Sequence, residues 1–131
     1  MKNFNKKERM KISLRLFLVF VSYSIYAEIM MDDFNEFINH CLDGDYIQSH
    51  YCPGMEVVNP QVCKGIAVHM LPINDRSKGQ QQSFELEKNY DPAKVKESID
   101  EIVRNNNETF CVKYQIEYNA EYEQNLSRLK R

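Results

Sequence analysis

All four cysteines of this chain, Cys41, Cys52, Cys63 and Cys111, lie downstream of a basic and then apolar N-terminal stretch. That arrangement constrains the fold more than any other feature. It directs the cysteines to an oxidising compartment, where an even count implies disulfides. Residues 1–15 carry Lys2, Lys6, Lys7, Arg9, Lys11 and Arg15 against Glu8 alone. An uncharged run from Leu16 to Ala27 follows, and Glu28 ends it. A basic region, a short apolar region and a small residue before a polar one form the pattern of an export signal. The run is shorter than the roughly 20 apolar residues of a membrane-spanning helix. Cleavage is expected after Ala27. Ser24 is the alternative site, an uncleaved anchor or buried N-terminal helix the alternative fate, and Met10 an alternative start. The expected organisation is a signal peptide at 1–27 and one domain at 28–131, exported to the periplasm or the extracellular space.

Without residues 1–27 the chain keeps 11 basic and 18 acidic residues, a net charge of −7. Arg128, Lys130 and Arg131 stand at the very end, so the body is more acidic still. Such a surface repels phosphate backbones and disfavours nucleic acid, but it suits a basic protein partner. Membrane contact is expected only through an uncleaved signal, and the protein is expected as a monomer or homodimer. Leu, Ile, Val and Phe make up 24 of residues 28–131, about 23%. That is just above the level at which a charged chain stays disordered. The core is therefore thin, and crosslinks matter: a disulfide closing a loop of about 20 residues contributes on the order of 3 kcal/mol.

The patterning predicts a mostly α, disulfide-stapled domain of about four helices. The first runs from Glu28 to Cys41, with Met30, Phe34, Phe37, Ile38 and Cys41 on one face. Asp43-Gly44-Asp45 is expected to end it. The second starts at Asn59-Pro60, a capping residue followed by a proline whose missing N–H is not needed there. Val62, Cys63, Ile66, Ala67 and Met70 form its stripe, and Pro72 closes it. The third starts at Asp91-Pro92 by the same device. Val95, Ile99, Ile102 and Val103 face inward, and Asn105-Asn106-Asn107 breaks it. From Glu108 onward two periods compete. Phe110, Val112, Tyr114, Ile116 and Tyr118 alternate as in a strand, while Cys111, Tyr114, Tyr118 and Tyr122 trace a helical stripe. Helix is preferred, with β-strand over 108–118 as the alternative. Residues 72–91 read as a long loop pinned by Phe84 and Leu86, of the kind that is often functional.

The spacing of the cysteines is ten intervening residues, ten again, then forty-seven. Of the three pairings, Cys41–Cys63 and Cys52–Cys111 are favoured, the first tying helix one to helix two. There is no Cys-x-x-Cys redox motif. A zinc site built with His40, His50 or His69 is the rival reading, but structural zinc ligands come in pairs about two to four residues apart. The histidines read as surface or helix-end residues. No serine-hydrolase, metalloprotease or phosphate-loop motif is present, so no enzyme and no cofactor is expected. A small hydrolase would need a polar cleft near His50 or His69. Acidic pairs such as Asp32-Asp33 and Asp100-Glu101 read as solvated helix faces. Asn107-Glu108-Thr109 and Asn125-Leu126-Ser127 match the N-glycosylation sequon.

Phe37-Ile38-Asn39-His40-Cys41, Cys63-Lys64-Gly65-Ile66 and the stretch from Asp91 to Glu108 together resemble a known pattern. It is that of the small periplasmic immunity proteins of the resistance-associated and Tai type. In that family a first helix ends in cysteine, a second opens with Cys-x-Gly-Tyr, and a later one ends near an Asn- or His-Pro-Glu turn. The resemblance spans about residues 34–110. Ile66 replaces the aromatic, two of the family's cysteines are missing, and Cys52 and Cys111 are extra. The resemblance implies a non-enzymatic exported protein that occludes a peptidoglycan-cleaving amidase toxin. The plug would be the 72–91 loop, with Asn74, Asp75, Arg76 and Gln81 as partner-binding residues. The alternative is a secreted structural or host-interaction protein, glycosylated at Asn107 or Asn125.

Overall fold

The long first helix, α1, spans residues 30–50 and organises everything else. The computed structural model describes residues 30–105 and 109–130. The expected signal over 1–27 and the Asn106–Asn107 helix breaker lie outside them. After α1 come α2 (Pro60–Met70), a 3₁₀ turn (Ile73–Asp75), α3 (Arg76–Lys88), α4 (Ala93–Asn105) and α5 (Phe110–Leu129). There is no strand among the described residues, and the alternating residues Phe110 to Tyr118 belong to α5. Both disulfides and the core lie within the unit that begins at Asp33.

Phe34, Phe37, Ile38, Cys41, Leu42 and Ile47 of α1 are all buried. The helix does not stop at Asp43-Gly44-Asp45. No described glycine has a positive φ, so Gly44 is an ordinary helical residue there. Its role is close approach, because a Cβ at Gly44 would run into the Tyr118 ring. Glycine thus lets α5 lie against α1. The two run antiparallel: Phe37 meets Tyr122 with ring centroids 5.4 Å apart, His40 stacks on Tyr118 at 4.6 Å, and Ile47 shares a core cluster with Phe110.

The hairpin of α2 and α3 packs elsewhere on α1. Asn59 caps α2 as expected, accepting from the Gln61 N–H at 2.8 Å, and Pro60 opens the helix. Its buried residues are Cys63, Ala67 and Val68, whereas Val62 is exposed. The expected loop at 72–91 is replaced by the 3₁₀ turn and the 13-residue α3. Residues such as Arg76, Lys78, Gln80–Gln82, Glu85 and Glu87 have good helix propensity. The contact face of α3 is made by Gly79 and Ser83, both buried. A Cβ at Gly79 would strike Leu71 and come within 3.7 Å of Phe34. Phe84, expected to pin the segment, points outward and is 53% exposed.

Asp91 caps α4 through the Ala93 N–H at 3.0 Å. Ile99 is buried against Ile47, Cys52, Met55 and Phe110. Ile102, expected inward, is half-exposed. The disulfides are Cys41–Cys63 and Cys52–Cys111, with Cα–Cα distances of 6.6 and 5.7 Å, as the favoured pairing has it. They interlace in sequence. One fastens α2 to α1, and the other fastens the segment after α1 to the start of α5. Gln115 adds a two-bond clamp on that segment: its Oε1 accepts from the Glu56 N–H at 2.7 Å and its Nε2 donates to the Glu56 carbonyl at 2.8 Å.

Candidate functional site

α5 carries Phe110, Tyr114, Tyr118 and Tyr122 at four-residue spacing, and their rings follow one another at 5.8, 6.4 and 6.3 Å. This ladder forms the inner face of α5, as residues four apart on a helix share a side. Tyr118 is buried, and its hydroxyl accepts from the Val58 N–H at 3.0 Å. Beside the ladder, α1, α4 and α5 enclose a cleft of about 390 Å³. Ile47, Val95, Ile99, Ile102 and Phe110 supply apolar walls, and His40, Asp43, Lys94, Tyr114, Glu117 and Glu121 supply polar ones. Apolar walls with a few convergent polar groups are the usual make-up of a binding site.

His40 is the residue that sequence reasoning missed. Its sequence context predicts a surface or helix-end residue, yet it is buried. Its Nε2–H donates to the Tyr118 carbonyl at 3.0 Å, and its Nδ1 lies 3.5 Å from a Glu121 oxygen. Asp43 accepts from the Tyr90 hydroxyl at 2.5 Å. Burial pushes the Asp43 carboxyl above the usual range, while the Tyr90 hydroxyl and then His40 pull it back part of the way. Ser98 is held by its own helix, donating to the Lys94 carbonyl at 3.1 Å. Both His40 nitrogens are thus engaged and the cleft's serine points at backbone.

A second groove, between α1 and α5, holds Glu36, Ala120, Gln124 and Arg128 and shares Glu117 and Glu121 with the cleft. Arg128 pairs with Glu36 at 3.4 Å. Farther toward the start of α5 lies an apolar groove of about 430 Å³. It is lined by Pro53, Met55, the Cys52–Cys111 disulfide, Val112 and Ile116. Val112 is 66% and Ile116 65% exposed, four residues apart on the outer face of α5.

No family model matches this chain. No curated protein and no solved structure matches it significantly either.

The residues expected to bind a partner lie on the 3₁₀ turn and the first half of α3. Asn74 and Gln81 are exposed, and Asp75 begins α3 without a side-chain cap. Arg76 folds back instead, donating to the Leu71 carbonyl at 3.3 Å and the His69 carbonyl at 3.2 Å. A cation on the last carbonyls of α2 satisfies orphan acceptors and complements the helix dipole. His50 does similar service at the end of α1, its Nδ1–H donating to the Tyr46 carbonyl at 2.9 Å. His69 lies exposed in the last turn of α2. No group of three metal-ligating side chains occurs among the described residues. Asn125 is buried, with only 2% of its surface exposed, so the folded domain has no room there for a glycan. The other sequon asparagine, Asn107, lies outside the described residues.

Burial raises Tyr90, Tyr114, Tyr118 and Tyr122 above the usual tyrosine value. Tyr51 is pushed up to about 12, by burial first and then by its hydrogen bond to Asp100. For each, the folded value exceeds the unfolded one. Their contribution to stability is complete below about pH 10 and is lost as the pH rises toward the folded values. Urea unfolding should therefore give lower stability at about pH 11 than at about pH 8, with much of the tyrosinate absorbance rising only as the domain opens. Tyrosinate appearing in full before unfolding would contradict this burial.

Proposed function

We propose that this chain is a small exported, non-enzymatic binding protein whose partner-binding face is the outer side of α5 with the adjoining edge of α1. Two disulfides fit an oxidising, exported environment. No helix among the described residues is long and apolar enough to cross a membrane. The observation that carries the proposal is the uncovered face of α5. Val112 and Ile116 lie open to solvent along one groove, and Glu117 and Glu121 line a second between α5 and α1. An exposed apolar patch rimmed by polar and charged residues marks a protein interaction surface.

The resemblance to periplasmic immunity proteins makes occlusion of a secreted toxin enzyme the preferred role, with the periplasm the preferred compartment. The occluding element is then α5 rather than 72–91, because 72–91 is largely helical and Arg76, one of the residues expected to bind, is spent on α2. A partner with a basic, partly apolar surface fits the charge of −7 over residues 28–131.

The test is capture from periplasm or culture medium with wild-type chain and two surface variants, Val112→Asp/Ile116→Asp and Glu117→Lys/Glu121→Lys. A partner retained by wild type should lose about tenfold or more in affinity with either variant. Higher salt should weaken it mainly through the acidic pair. A partner held equally by all three proteins would overturn this face as the binding site.

A further inference from the structure

The cleft between α1, α4 and α5 has an occupant written into its charge and shape. Its floor is apolar, from Ile99 and Phe110, and the Tyr114 ring lies half-buried along it. Its polar groups include three carboxylates, Asp43, Glu117 and Glu121, against one ammonium, Lys94. Among the described residues Arg128 pairs with Glu36, Glu121 lies 3.5 Å from His40 Nδ1, and Lys94 pairs with none of the three carboxylates. The carboxylates come from two antiparallel helices, and Asp43 and His40 are held in place by Tyr90 and by the Tyr118 carbonyl. The site is therefore fixed before anything enters it. A group that matches must carry positive charge at its tip and apolar length behind it. Those are the properties of a lysine or arginine side chain, whose methylene stem covers apolar surface while its head seeks carboxylates. An aromatic ring beside the path adds cation–π attraction.

We propose that this cleft receives one basic side chain of the polypeptide partner, as the anchor of the α5 interface. The inference rests on the binding role assigned to α5. It adds the class of residue that enters and the groups that receive it. His40 and Tyr90 are positioning residues, acting through Glu121 and Asp43.

The experiment titrates the full chain with two short peptides, acetyl-Leu-Arg-Leu-amide and its citrulline counterpart, followed by NMR shifts of the protein. Citrulline keeps the stem and the planar head but removes the charge. The arginine peptide should bind at least about tenfold more tightly, equivalent to ~1.4 kcal/mol. Its shifts should centre on Tyr114, Ile99 and His40. Glu121→Gln and Glu117→Gln, both at exposed positions, should each weaken the arginine peptide severalfold and leave the citrulline peptide unchanged. Asp43→Asn should do the same, with a thermal melt reporting whether the fold is kept. Equal affinity for the two peptides, or shifts that avoid the cleft, would overturn the proposal. A partner that depends on Val112 and Ile116 but not on Asp43 would overturn it as well, while leaving the α5 interface standing.

Discussion

Reduction of both disulfides will unfold this domain. The Cys41–Cys63 and Cys52–Cys111 bridges span 22 and 59 residues. In the chain-entropy description such loops contribute about 3 and about 4 kcal/mol. A domain of this size has only about 5–15 kcal/mol of net stability in total. The aliphatic and Phe content is low, at 24 residues of 104 in the segment 28–131, so little else makes up the difference. Thermal melts by circular dichroism should show a cooperative transition in the oxidised protein and none, or one below body temperature, after reduction. Cys52→Ala/Cys111→Ala should lower Tm more than Cys41→Ala/Cys63→Ala, by about 1 kcal/mol equivalent, because its loop is longer. A reduced protein with an unchanged melt would show that the helices hold themselves.

Phe37→Ala should be among the most damaging single substitutions outside the cysteines. Phe37 is wholly buried at the crossing of α1 and α5, against Tyr122. Truncating a buried phenylalanine costs about 3–5 kcal/mol, the sum of lost transfer energy and the cavity left behind. Phe84→Ala on α3 is the matched control. Its ring is more than half exposed, so the change should fall within about 0.5 kcal/mol. Urea denaturation of the two variants compares them directly. Similar losses would mean that α3 packs through Phe84 after all, rather than through Gly79 and Ser83.

What could be read from the sequence were the features that act locally. Asn59-Pro60 and Asp91-Pro92 opened helices where expected, since a cap and a proline act on their own backbone. The spacing of apolar residues gave the first part of α1, α2, α4 and most of α5, and it favoured the observed cysteine pairing. What failed depended on partners distant in sequence. Gly44 reads as a stop signal, but its missing Cβ serves the ring of Tyr118, 74 residues away. α3 escaped notice because its buried side is Gly79 and Ser83, which no hydrophobic period detects. His40 is buried by Tyr118 and Glu121 of α5, so nothing near it in sequence marked it. The cleft it helps to form was invisible for the same reason. The acidic balance pointed to a basic partner, but only the fold gathers Asp43, Glu117 and Glu121 into one place.

Hydrogen exchange on the complex with a captured partner tests the central claim most directly. Binding through α5 predicts slowed exchange over residues 110–124 and over 36–47, with the α2–α3 hairpin unchanged. Slowing confined to α2 and α3, around Asn74 and Gln81, would contradict it.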